Sequence, residues 1–225
     1  MGLEQQAIQR EQSRFNMVEQ QIRPWDVLDP RVLELFKQVP RENFVPKQYK
    51  GLAFADIEVP LGEGQQMLSP KIEGRILQAL LIKPTDRVLE IGTGAGYLTA
   101  LMAKQAKQVD SIELHAKLSA QASKNLAAHK IKNVKLIVGD GTRGLAAKAP
   151  YDVIVFTGAL STPPNQQLEA QLALGGRMFA VVGEPPAMEA ILVERIASDI
   201  FKRDALFETC LPLLANAPMP SKFSF

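Results

Sequence analysis

The period of apolar and polar residues changes along this chain, and the changes divide it into segments. From Leu3 to about Ile22 the residues are mostly Gln, Glu and Arg, with apolar side chains at Ile8, Phe15, Val18 and Ile22. So sparse a stripe predicts a surface helix docked on something larger. Asp29-Pro30 then puts an N-cap residue ahead of a proline at the first helical position, and Val32, Leu33, Leu35 and Phe36 supply a buried face as far as Pro40. No period is sustained from Arg41 to Pro60, which predicts a loop-rich wrapping segment. Ser69-Pro70 opens another helix, with Ile72, Ile76, Leu77 and Leu80 on one face.

From Arg87 short β-branched runs alternate with helical stretches. RVLEIG, VDSIEL, VKLIVGD, YDVIVFT and RMFAVVG read as strands, and helices are expected from about Leu98 to Lys107, from Lys117 to His129 and near Asn165 to Leu172. Such alternation predicts a parallel sheet covered on both faces. In the tail, AILVERIA and ALFETCLPLL are strand-like and joined by the polar SDIFKRD, so an antiparallel hairpin is expected at the sheet edge. The expected fold is α/β, a Rossmann-like, doubly wound and mostly parallel sheet with an antiparallel edge hairpin and an N-terminal helical cap. Residues 1–69 form the arm and substrate-side loop, and 70–225 the core, folded together as one unit.

Composition narrows the function by exclusion. With 46% hydrophobic and 22% charged residues, the 225-residue chain has the make-up of a folded domain rather than a disordered one. Lysine and arginine total 26 against 24 acidic residues, so the net charge of +2 makes no electrostatic case for nucleic acid or an anionic membrane as partner. Cys210 is the single cysteine, and His115 and His129 are the only histidines, too few for a disulfide or a thiolate or histidine metal site. The polar first 20 residues carry no secretory apolar stretch and no long apolar run follows, so a cytoplasmic location is expected. Cys210 is expected to be a buried small hydrophobe, His115 a surface residue, His129 a helix-end residue and Trp25 an anchor for the arm.

The chemistry is concentrated in Val88-Leu-Glu-Ile-Gly-Thr-Gly-Ala-Gly-Tyr97, where an apolar strand runs into Gly92, Gly94 and Gly96 and a helix follows. Glycines here permit a tight turn and close approach of backbone to a ligand, beside the unpaired N–H groups of a helix start. A dinucleotide fingerprint would need glycine where Tyr97 stands, and no Gly-Lys-Ser/Thr follows to make a phosphate loop. What remains is E/D-x-G-x-G-x-G, with Glu90 as the acidic residue. This stretch resembles class I S-adenosylmethionine-dependent methyltransferases. The resemblance implies that Glu90, Gly92, Thr93, Gly94, Ala95 and Gly96 lie under the methionine and ribose of S-adenosyl-L-methionine. Glu113, 17 residues after Gly96 and followed by Leu114, would accept the ribose hydroxyls at the second strand end. Asp140, with Gly141, would accept from the adenine amino group at the third.

The flanking segments carry a narrower likeness. VPRENFVP, IEVPLGEGQQMLSP, VGDGTRGLAAKAPYDVIVFTGAL and LPLL are similar to segments of the protein-L-isoaspartate O-methyltransferase family, over about residues 30–214. That resemblance implies methyl transfer to a carboxylate of an isoaspartyl-bearing peptide or protein, leaving S-adenosyl-L-homocysteine. The acceptor loop departs from the family. Aligned on Gly62, Gly64, Gln65 and Pro70, it has Gln66 at the family's Thr, Met67 at its Ile and Leu68 at its active-site Ser, with Ser69 one place later. Either Ser69 supplies a catalytic hydroxyl, or it is a helix cap and the acceptor is a small molecule or another protein group. A third reading is cofactor binding without turnover. A carboxylate with an ordinary pKa near 4 is already ionised at neutral pH, so the transfer itself needs no general base.

Overall fold

How little of the N-terminal segment is buried follows from its sparse apolar stripe. The structure, a computed structural model, describes residues 3–218; Met1, Gly2 and 219–225 lie outside them. Helix α1 (Leu3–Met17) continues into a π-helical turn, Val18–Ile22, and a 3-10 turn, Arg23–Trp25. Met17, Val18 and Ile22 are fully buried, whereas Ile8 and Phe15, expected on the docking face, are 62% and 51% exposed. The segment therefore docks by its C-terminal end alone. Trp25 is held there, with the Lys71 ammonium 4.3 Å from its ring centroid and Arg75 donating to its carbonyl at 3.1 Å.

Helix α2 (Pro30–Gln38) begins as expected: the Asp29 carboxylate accepts from Arg31 N–H at 2.8 Å, Pro30 follows, and Val32, Leu33, Leu35 and Phe36 are buried. Residues 41–43 and 47–52 then form 3-10 turns. The next stretch differs from expectation, because β1 (Val59–Gly62) and β2 (Gln65–Met67) pair antiparallel around Gly62-Glu63-Gly64, whose φ angles are all positive. Helix α3 (Pro70–Leu80) buries Ile72, Ile76, Leu77 and Leu80. Ser69 occupies its N-cap position, but its hydroxyl makes no capping bond. Arg177 closes the other end, donating to the Leu80 carbonyl, to the Leu81 carbonyl at 2.7 Å and to Asp86 at 2.7 Å.

Beyond α3 the strands are β3 (Arg87–Ile91), β4 (Gln108–Glu113), β5 (Val134–Val138), β6 (Tyr151–Leu160), β7 (Leu172–Glu184), β8 (Ala187–Ala197) and β9 (Ile200–Glu208). They form one sheet in the order β5-β4-β3-β6-β7-β8-β9, parallel from β5 to β7 and antiparallel in the last two pairings. Side chains alternate between two cores. Val88, Val153, Val155, Phe179 and Val181 pack with the arm and α3, while Leu89, Ile91, Ile154, Phe156, Met178 and Ala180 pack on the other face. Burial on both faces is why these strands read as nearly continuous apolar runs.

The helices between the strands are α4 (Tyr97–Ala103), α5 (Ala116–Ala128) and α6 (Gln166–Glu169). Two are shorter than the sequence predicts: Lys104–Lys107 turn into β4, and Leu172 belongs to β7. In the tail, β9 begins at Ile200, inside the stretch expected to be a connector, and ends at Glu208. Leu211–Leu214 leave the sheet, Leu213 forms a bridge beside Ala159, and Cys210 is exposed rather than buried. Among the described residues no helix is long and apolar enough to cross a membrane.

Because Asp29 makes a cap bond and Ser69 does not, the two N-cap residues should respond differently to truncation. Asp29→Ala is expected to lower the unfolding free energy by about 0.5–2 kcal/mol in urea denaturation. Ser69→Ala should cost clearly less, and an equal loss would show that the Ser69 hydroxyl caps α3 after all.

Candidate active site

The chain runs from β3 to β4 and β5 on one side, then returns to place β6 on the other side of β3, so a crevice opens beyond the carboxyl ends of β3 and β6. This cleft encloses about 960 Å³ including its mouth. Its floor is Glu90–Ala95, with Glu113–His115, Gly139–Thr142, Thr157 and Gly158 from the neighbouring strand ends. Leu61 and Gln65–Leu68 of the β1–β2 hairpin, Glu73 of α3 and Pro212–Ala215 of the tail form the remaining walls.

The glycine turn has steric causes. A Cβ on Gly92 would lie 2.1 Å from Thr157 Oγ1, the hydroxyl that donates to the Ile91 and Gly92 carbonyls at 3.0 and 2.8 Å. Gly94 has φ +54°, and its missing side chain faces Leu61 of the hairpin at 3.1 Å. The turn therefore lies flat beneath the cleft, held to β6 on one side and roofed by β1 on the other.

Three acidic groups face this floor, and each is held differently. Glu113 accepts from Gly94 N–H at 2.9 Å with one oxygen and from His115 N–H at 3.0 Å with the other. A carboxylate has about four lone-pair sites, so each oxygen keeps capacity for a further donor, such as one of a pair of vicinal hydroxyls. Glu90 is fully buried; one of its oxygens accepts from Thr99 at 2.5 Å and Ser111 at 2.6 Å, and Ser111 is itself 2.5 Å from Thr93. The other Glu90 oxygen is buried without a partner. Burial pushes the Glu90 carboxyl up to about 8, against the pull of the two hydroxyls. Asp140 lies at the mouth, one oxygen closing a turn with Thr142 N–H and Oγ1 at 2.8 and 2.7 Å and the other 3.3 Å from Asn216. Burial tends to raise Asp140, but these hydrogen bonds outweigh it and hold the group below the usual carboxylate range.

The opposite wall mixes apolar and amide side chains. Met67 and Leu68 are buried, and Gln66 donates to Glu58, whose carboxyl burial pushes upward. Ser69 is buried outside the lining, so the cleft receives Leu68 where the family's serine is expected. Behind this wall the fully buried Arg41 donates to Glu73 and, at 2.6 Å, to the Leu68 carbonyl. Burial pushes the Glu73 carboxyl up and the Arg41 charge pulls it back.

The structure thus brings together Glu90, Gly92, Thr93, Gly94, Ala95, Glu113, Leu114, Asp140, Gly141, Gln66, Met67 and Leu68 around one cleft. Gly96 sits just behind the floor, against Ala122 of α5. His115, expected at the surface, lines the cleft, and Glu63 reaches across from the hairpin to within 3.9 Å of its ring and 2.9 Å of Lys117. His129 ends α5 and stacks on Phe44. Sequence reasoning missed Glu73, although it falls on the apolar stripe of Ile72, Ile76, Leu77 and Leu80 and so had to be buried. It also left Arg41 without a role inside the quoted PRENFVP segment. Among the described residues no cluster of three or more His, Cys, Asp or Glu could hold a metal ion.

The family described as protein-L-isoaspartate(D-aspartate) O-methyltransferase matches residues 12–212. The protein-L-isoaspartate O-methyltransferase of Koribacter versatilis is 41% identical over 205 residues, covering 90% of this chain and 91% of that one. The enzyme of the same name from Methanoculleus marisnigri is 43% identical over 183 residues, 81% of this chain and 83% of its own. A solved protein-L-isoaspartate O-methyltransferase superposes with TM-score 0.78 at 26% identity, over 92% of this chain and 66% of that one. A Plasmodium falciparum structure described as a complex with S-adenosyl-L-homocysteine shares the fold, with TM-score 0.74 at 21% identity over 89% of this chain and 97% of its own. With the family match spanning most of its length and relatives of this similarity, the chain belongs to the protein-L-isoaspartate(D-aspartate) O-methyltransferase family.

Proposed function

We propose that this protein transfers a methyl group from S-adenosyl-L-methionine to the free carboxylate of an isoaspartyl residue in a damaged protein or peptide, giving a methyl ester and S-adenosyl-L-homocysteine. The observation that carries the reading is the cleft floor, where Glu113 keeps acceptor capacity on both oxygens and Glu90 keeps a buried oxygen without a partner beside the glycine turn. Such a set suits a ligand with a pair of hydroxyls at one end and positive charge at the other. Bound there, the cofactor supplies a methyl carbon made electrophilic by its sulfonium.

In this reading Glu113 holds the ribose, Asp140 and Leu114 border the base, and Glu90 answers the cationic end. Leu61, Leu68, Leu98, Leu213 and Leu214 line the cleft and exclude water. Excluding water and holding the acceptor oxygen in line are where a displacement by a ready-made carboxylate gains most, about 7–11 kcal/mol in favourable intramolecular cases. No group has to remove a proton from the acceptor. The exposed Cys210 thiol fits a reducing, cytoplasmic setting for the same reading. Leu68 in the wall favours a second reading, in which the same cofactor serves an acceptor that needs no hydroxyl from the loop.

Three outcomes are expected. Incubated with labelled cofactor, the protein should methylate an isoaspartyl peptide and leave its aspartyl twin unlabelled; equal background labelling of both would favour the second reading. Gly94→Val should abolish measurable cofactor binding in calorimetry, because a branched side chain is strained at φ +54° and meets Leu61. The third outcome concerns protons. Glu90 retains its proton up to about pH 8 in the free protein, and a cation beside it favours ionisation, so the free protein holds more protons than the complex. Cofactor affinity should therefore rise with pH toward 8, by up to about tenfold per unit. Glu90→Gln should flatten that rise, and a wild-type affinity independent of pH would contradict the role given to Glu90.

A further inference from the structure

Arg41 lines none of the cleft, but the three groups it touches all do. Its guanidinium donates to Glu73 through Nη1 and to the Leu68 carbonyl through Nη2 at 2.6 Å, and its centre lies 5.1 Å from the Tyr97 ring centroid. Leu68 ends the hairpin wall, Glu73 stands in the first turn of α3, and Tyr97 is the first residue of α4, directly after the glycine turn. Arg41 itself comes from the 3-10 turn 41–43 of the arm and is fully buried. One rigid, planar group therefore joins the arm, the acceptor-side wall and the helix that continues the cofactor floor.

We propose that Arg41 is a positioning residue for methyl transfer: by holding the Leu68 carbonyl and Glu73 against Tyr97, it fixes the distance between the acceptor-side wall and the cofactor floor. The proposal rests on the acceptor side assigned above. It is distinct from a role in stability, because the two contacts separate. The Glu73 pair neutralises a buried charge, and a buried pair of this kind can be replaced by apolar side chains without loss of stability. The bond to Leu68 is to main chain, and an apolar replacement cannot restore it. Lysine at position 41 keeps the charge for Glu73 but lacks the planar fork that reaches two acceptors at once.

The test uses Arg41→Met, Arg41→Lys and the double variant Arg41→Met with Glu73→Met, each measured for thermal unfolding, affinity for S-adenosyl-L-homocysteine, and kcat and KM with an isoaspartyl peptide. Arg41→Met should be markedly destabilised by its unpaired Glu73. The double variant should regain stability relative to Arg41→Met, yet keep kcat/KM about tenfold or more below wild type, since misplacement by about 1 Å is enough for such losses. Arg41→Lys should still fold, with a smaller loss of stability than Arg41→Met, and show the same kinetic defect, which keeps the proposal open to refutation if the methionine variants do not fold. Recovery of wild-type kcat/KM in the double variant, or no defect in Arg41→Lys, would overturn it. Amide exchange of residues 66–68 is followed in parallel: faster exchange in Arg41→Lys than in wild type supports the proposal, and unchanged exchange overturns it. A wild type that leaves the isoaspartyl peptide unlabelled counts against the proposed acceptor alone, and the exchange measurement then decides the role of Arg41.

Discussion

The site depends on one steric requirement, that the chain leave β3, pass beneath the cleft and enter α4 within six residues, 92–97. A side chain at Gly92 would displace the Thr157 hydroxyl that ties β3 to β6, and one at Gly96 would push α5 away at Ala122. With both positions bare, the Gly94 N–H is presented to Glu113 at the end of β4, so two strand ends are locked in register by a backbone-to-carboxylate bond. The cleft floor is thus a by-product of close packing, built largely from main chain.

Around that floor the protein gathers more carboxyl groups than a closed interior normally tolerates, and it answers each with a different device. Glu113 is satisfied by main-chain N–H groups, Glu90 by two hydroxyls and a raised proton affinity, and Glu73 by the buried Arg41. Fully buried charge is costly unless paired or neutralised. Of these three groups, Glu90 alone keeps a buried oxygen without a partner.

The sheet, its edge and the floor were legible in the sequence because their causes are local. Two-sided burial writes itself as continuous apolar runs, and the glycine spacing excludes its commonest alternatives. The walls were harder to read, because their causes are tertiary. Glu63 between two glycines looks like loop, and only the reach of its carboxylate to Lys117 shows the hairpin spanning the cleft. Leu211–Leu214 have strand composition, but the bridge at Ala159 draws them away from β9 and over the site. Ser69 has the right identity and position for a cap, yet its hydroxyl makes no such bond, whereas Asp29 in the same Xaa-Pro context does. Ile8 and Phe15 fit the helical stripe but lie beyond the reach of the core.

The contact between Arg41 and the Leu68 carbonyl bears on how such a site can change over evolutionary time. The loop is held by its peptide group, which every residue type possesses, and also by the buried Leu68 side chain, which packs in the arm-side core. A different side chain at position 68 would leave the main-chain fastening in place but change the packing beside it. The fastening and the packing at this position are therefore separable demands, the first met by any residue and the second only by an apolar side chain of about this size.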